Sequence, residues 1–159
     1  MRLTLWTAFW LFLADQVSKY IVLYQINLPQ QPNQTYEVFP PFLVLRMAWN
    51  RGVNFGLFAE YDMRWVLIGV ALAITLFVLI WVRRETMGRL AQVSAGLLVG
   101  GAMGNVIDRV MYGAVADFLN MSCCGFTNPY AFNVADISIF AGAIGLVLFT
   151  DGDDSKKTA

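Results

Sequence analysis

Apolar residues in this chain come in long charge-free runs, and polar residues collect between them or at their ends. A helix that crosses the ~30 Å hydrocarbon core of a bilayer needs about 20 mostly apolar residues. Trp65–Val82 is one such run, closed by Arg64 on one side and by Arg83 and Arg84 on the other. Leu90–Ile107 is a second, between Arg89 and Asp108. Asn133–Thr150 is apolar except for Asn133, Asp136 and Ser138. The first run, from about Leu3 to Tyr24, carries Asp15, Gln16, Ser18 and Lys19 within it. Only Arg2 precedes it, no small-x-small cleavage site follows and polar groups interrupt it, so it reads as an uncleaved span and not a signal peptide. The predicted fold class is an all-α membrane protein with four transmembrane helices, at about 3–24, 65–82, 90–108 and 133–150.

The connection from Gln25 to Met63 is too long for a turn. Its first part, QINLPQQPNQTYE (25–37), is polar and Pro-rich and predicts a loop. Its second part, VFPPFLVLRMAWNRGVNFGLF (38–58), repeats aromatic and β-branched residues with Arg46 and Asn50 among them. That pattern predicts a short β-structured platform lying on the outer leaflet. The expected organisation is one domain over residues 1–159, with the β-structured region at about 25–60.

Composition narrows the chemistry. The chain is 58% hydrophobic and 14% charged, where a soluble domain carries about 25% charged residues. Its 11 basic and 11 acidic residues cancel, so no basic surface points to nucleic acid. There is no histidine. This excludes an HExxH zinc site and any Ser-His or Cys-His nucleophile, and leaves acid–base work to carboxylates, Lys, Tyr or Cys. The two cysteines, Cys123 and Cys124, are adjacent and form neither a disulfide framework nor a spaced metal site. No metal and no cofactor are expected.

Charge placement gives an orientation. The tight connection RRETMGR (83–89) holds three arginines, Lys156 and Lys157 follow the last run, and Arg2 falls on the same side. Both termini are therefore expected in the cytoplasm, although Arg46, Arg51, Arg64 and Arg109 lie on the opposite side.

Ionisable groups at membrane depth cost about 2.5–3.5 kcal/mol each on the insertion scale. Asp15 would stand about 18 Å above the cytoplasmic start of its helix, in the outer half. Asn105, Asp108 and Arg109 reach the outer end of the third run, and Asp136 sits near the outer start of the fourth. All gather at one membrane face. Asp15 and Lys19 have the favourable i,i+4 order for an ion pair that neutralises itself, and Asn105, Asp108 and Arg109 share a helix face that caps the span. Asp117 in GAVADFL and Asp136 in FNVADISI are both set among apolar neighbours. Two carboxyls brought together cannot both ionise, so one keeps its proton while the other acts as a base. Such a pair can hydrolyse an amide. Gly96, Gly100 and Gly104 recur every four residues, with Gly101 beside them, a stripe that lets another helix approach closely.

Four blocks, ADQVSK (14–19), NRGVNFGLF (50–58), GGAMGNVIDRVMYGAVADF (100–118) and FNVADISI (132–139), resemble the lipoprotein signal peptidase (signal peptidase II) family, in the family's order and over most of the chain. The resemblance implies that Asp117 and Asp136 are catalytic. It implies that Asn50, Asn105, Arg109 and Asn133 line the site, and that Asp15, Lys19 and Asp108 support its architecture. It implies a peptidase of the bacterial inner membrane with its active site near the periplasmic face. The implied fold has four spans, a periplasmic β-cradle and a half-helix before the second span. The implied substrates are diacylglyceryl-modified prolipoproteins, cut just before the lipidated cysteine. The implied partners are these substrates and membrane lipid, with the enzyme a monomer. The chain departs from the family pattern at Val53 and Asn54, where small residues are usual, and the insert MSCCGFTNPYA (121–131) carries no resemblance to it.

The rival reading is a small proton- or ion-coupled membrane transport protein. Acids gathered at one face make a poor relay across a bilayer. A non-enzymatic lipoprotein-binding subunit would tolerate loss of either aspartate, and a presenilin-like protease would need a GxGD block that the chain lacks.

Overall fold

The computed structural model describes residues 1–52 and 63–150. Four long helices carry the fold: α1 (Arg2–Tyr20), α2 (Arg64–Arg84), α3 (Arg89–Tyr112) and α4 (Val134–Thr150). A small antiparallel sheet joins them, made of β1 (Thr35–Phe39), β2 (Leu43–Asn50) and β3 (Val115–Asn120) in the order β1-β2-β3. Val53 and Asn54, the segment expected to hold the half-helix, and Lys156 and Lys157 lie outside the described residues.

Helices α2 and α3 are long and apolar enough to cross a membrane, at 21 and 24 residues, or about 32 and 36 Å. Helix α4 is apolar but shorter. In α1, the polar residues Asp15, Gln16, Ser18 and Lys19 dilute the last turns. The helix then continues as a π-helical turn over Ile21–Gln25, stapled by the Ile26 N–H to the Ile21 carbonyl at 2.8 Å. The stretch expected as plain loop after it contains two short 3₁₀ turns, Leu28–Gln30 and Pro32–Gln34.

α3 is the central helix, packed against α1, α2 and α4. Its glycines make that possible. A side chain at Gly100 would stand 2.6 Å from the Ala8 carbonyl of α1, and one at Gly101 would stand 2.5 Å from the Ala135 carbonyl of α4. At its C-terminus, Gly113 takes the left-handed conformation, φ 76°, that ends the helix and turns the chain into β3. β3 pairs with β2 through Val44↔Asn120, Leu45↔Leu119, Ala48↔Asp117, Trp49↔Ala116 and Asn50↔Val115, with a bulge between Leu45 and Ala48. Leu45, Met47, Ala116 and Phe118 of the sheet close on Val22, Leu23 and Leu28. The sheet is thereby fixed to the end of α1.

Candidate active site

Asp136 stands in the first turn of α4, and its position is set by the way that helix begins. The Asn133 Oδ1 accepts the Asp136 N–H at 2.9 Å, and the Asp136 Oδ2 accepts the Asn133 N–H at 3.3 Å. This is a reciprocal capping box, here built from Asn and Asp. The other oxygen of Asp136 accepts the Asn105 amide at 2.9 Å, so α3 and α4 both hold the carboxylate.

Asp117 belongs to a different element. It lies on β3, the strand that follows α3, and the Asn133 side chain at the start of α4 donates to it and to the preceding Ala116 carbonyl. The Asn133 side-chain amide donates to Asp117 Oδ1 at 2.7 Å, while bonding Asp136 through its backbone and its own oxygen. Asn133 is fully buried and links the two acids directly. Asn50, across the β2–β3 ladder, adds a side-chain hydrogen bond to Asp117 and is itself exposed. Burial, followed by the negative charge of Asp136, lifts the Asp117 carboxyl to about 7, and the bonds from Asn50 and Asn133 pull in the opposite direction. Asp117 is buried while Asp136 is half-buried, so the pair opens on the side of Asp136 and Asn50. Arg109 donates to the Asn105 carbonyl at 3.3 Å and sits within electrostatic reach of Asp136, Asp117 and Asp108.

Behind this pair lies a second acidic cluster. The Lys19 ammonium donates to Asp15 at 2.7 Å, to Asp108 at 2.8 Å and to the Asn105 side chain at 3.4 Å, which uses all three of its protons. The Gln16 amide reaches Asp15 at 3.1 Å and Asp108 at 3.3 Å. The remaining bonds go to backbone. Asp15 accepts the Ala135 N–H at 3.0 Å, and Asp108 accepts the Ala116 N–H at 3.1 Å. Ala135 immediately precedes Asp136, and Ala116 immediately precedes Asp117. Each buried acid of the rear cluster therefore grips the backbone next to one acid of the front pair. The approach is so close that any side chain on Gly104 would collide with the Asp15 carboxylate.

All nine residues singled out by the sequence thus fall in one connected network. Asp15 and Lys19, expected as a self-contained pair, are shared with Asp108. Gln16 and the two alanine amides complete the network without having been singled out. Gln16 had a signal, since it sits in the polar break of α1; a backbone amide has none. Cys123 and Cys124 are exposed and stand apart from the network, in the excursion between β3 and α4. That excursion is pinned at its base, where the Asn120 amide donates to the Asn128 and Tyr130 carbonyls at 2.8 Å each.

Comparison with known proteins adds the family. The signal peptidase (SPase) II family model matches residues 7–150. The lipoprotein signal peptidase of Methylobacterium sp. (strain 4-46) is 42% identical over 148 residues, covering 91% of this chain and 86% of the relative. That of Methylorubrum extorquens (strain PA1) is 43% identical over 136 residues, covering 84% and 77%. A solved structure described as a bacterial membrane enzyme superposes with a TM-score of 0.79 at 28% identity, over 98% of this chain and 91% of that one.

Proposed function

The chain belongs to the signal peptidase II family, proteases that remove signal peptides from prolipoproteins, and we propose that it does so with Asp117 and Asp136 as its catalytic pair. The observation that carries this reading is the Asn133 bridge, in which one residue hydrogen-bonds to a carboxyl from each of two different elements. The raised Asp117 keeps the shared proton and donates a hydrogen bond to the scissile carbonyl oxygen. Asp136, on the open side, takes a proton from water as it attacks the carbonyl carbon. The tetrahedral species then collapses as that proton passes to the leaving amine. The pair titrates as a unit. Asn50, Asn105, Arg109 and Asn133 line the site, and Asp15, Lys19 and Asp108 set the spacing of the pair through the Ala116 and Ala135 amides.

The proposed setting is the bacterial inner membrane, with α1 to α4 as four spans, both termini cytoplasmic and the pair near the periplasmic face. Two features support this: the Arg-rich α2–α3 connection lies at the opposite end of α3 from the pair, and the polar residues of α1 lie near its sheet end. The proposed substrate is a diacylglyceryl-modified prolipoprotein, cut before its lipidated cysteine by a monomer. A site near the outer leaflet suits a substrate whose acyl chains remain in the bilayer.

The test is cleavage of a purified diacylglyceryl prolipoprotein, followed by gel shift, with wild type beside Asp117→Asn and Asp136→Asn. Cleavage by wild type alone, with both variants folded, is expected. Near-full cleavage by either folded variant rules out the paired mechanism, and a folded wild type that never cleaves returns the transport reading.

A further inference from the structure

Strand β3 is longer than the spacing between the two helices it joins. β3 starts three residues after the end of α3, and Phe118 and Leu119 near its far end exchange backbone hydrogen bonds with Phe132, two residues before α4. The strand therefore runs across the same end of two neighbouring helices. Packed helices stand 8–10 Å apart, whereas six residues of strand cover about 20 Å. Asp117, in mid-strand, already meets Asn133 at the start of α4, so Asn120 and the excursion that follows it overhang that point along the strand.

Two loops from distant parts of the chain meet at that overhang. The β1–β2 turn follows Phe39 and precedes Leu43, and the pairing of Val44 with Asn120 brings it to the end of the sheet where the 121–131 excursion leaves β3. Phe39 and Phe42 are stacked on each other at 5.5 Å and are 65% and 49% exposed. In the excursion, Met121, Phe126 and Tyr130 are 50%, 68% and 76% exposed. Its tip is a tight turn in which Cys124 and Gly125 both have positive φ, closed by the Phe126 N–H to the Cys123 carbonyl at 2.8 Å. Residues 38–44 and 121–132 contain no charged side chain.

We propose that these two tips dip into the headgroup–acyl boundary of the leaflet at the sheet end of the helices, and anchor the sheet to the lipid beside α4. Phe and Tyr with small polar neighbours and no charge form the composition that partitions to this boundary. Exposed apolar side chains recur on the helix that starts beside this end of the sheet, where Ile137 and Phe140 of α4 are 49% and 70% exposed. A second protein would have to displace lipid to reach it. The inference rests on the four-span reading proposed above.

The test uses spin labels in vesicles of phosphatidylethanolamine and phosphatidylglycerol. One nitroxide is attached to native Cys123 in a Cys124→Ser chain. A second is attached at Phe42→Cys with both native cysteines changed to Ser, and controls in the same background are Gln31→Cys in the polar loop and Leu76→Cys on exposed α2. The two tip labels should collide with oxygen more than with a water-soluble nickel chelate, while the Gln31 label shows the reverse. Tip labels as open to nickel as the Gln31 label overturn the proposal. So do labels shielded from both reagents with spin–spin broadening, which would mean a second copy of the chain at this surface. The Leu76 label reads the span reading separately: if it is oxygen-accessible and the tips are not, only the anchor fails. None of these readouts requires catalysis. As a functional check, Phe39→Ser with Phe126→Ser should lower cleavage in vesicles about fivefold while changing it less than about twofold in detergent micelles.

Discussion

Asp15 and Asp108 flank the Lys19 ammonium, and every one of their oxygens accepts a hydrogen bond from Lys19, Gln16 or a backbone amide. Asp117 and Asp136, on the next layer, are held by the neutral side chains of Asn133, Asn50 and Asn105. The first pair has a cation between its members; the second has an amide. A central cation gives both acids a charge-assisted hydrogen bond, which makes the rear cluster a fixed structural node. An amide orients two carboxyls without placing a charge between them, and burial, followed by the Asp136 charge, then holds the Asp117 proton up to about 7. The same residue type does two jobs because its partners differ, and the two clusters are coupled through Asn105 and the Ala116 and Ala135 amides.

This contrast can be broken at either cluster. The largest expected effect is on chemistry at the front pair. Asp117→Asn and Asp136→Asn should each lower the cleavage rate by about 10³-fold or more, with melting temperatures at neutral pH no lower than wild type for Asp117→Asn. Next is the rear cluster, where Lys19→Met leaves two buried acids facing each other and should cost about 3–5 kcal/mol of stability, read by thermal melting. Adding Asp15→Asn to Lys19→Met should recover part of that loss, and a double variant no more stable than the single one would argue against the node.

The third prediction concerns pH. Asp117 has a folded value of about 7, above its ordinary 3.8, so the folded state holds more protons than the unfolded state between those limits. Stability from this group is therefore full below about 4 and declines as pH rises towards about 7. Melting curves of wild type and Asp117→Asn should converge near pH 4 and separate as pH rises, with the variant the more stable at pH ~8. Cleavage should likewise fall as pH rises past about 7, where the acid loses its proton. The smallest effect is expected at the bridge. Asn133→Ala removes the helix cap and the link between the acids, costing about 1 kcal/mol of stability and slowing cleavage by about 10–100-fold.

Much of the helical frame was readable because apolar runs without charge have few alternatives. Trp65–Val82 lies inside α2 (Arg64–Arg84) and Leu90–Ile107 inside α3 (Arg89–Tyr112). The site residues were readable for the complementary reason: ionisable side chains in such runs are costly and stand out. The strand β3 was not readable. Five of its six residues are buried, so both faces are covered and the two-residue alternation that marks a half-exposed strand is absent. Its partner β2 is more than sixty residues away, so no local pattern reports the pairing.

Residue types and spacing alone determined that this chain is built from long apolar helices, that it lacks histidine chemistry and that its unusual acids collect at one end. Tertiary structure decided which acid meets which. Lys19 reaches Asp108 only because Gly104 lets α1 lie against α3. Asp117 meets the Asn133 amide only because Gly113 turns the chain into a strand that passes the start of α4. Contacts between side chains on different elements depend on packing distances, and those are set by the whole fold, whereas the cost of a charge in an apolar run is local and is written in the sequence.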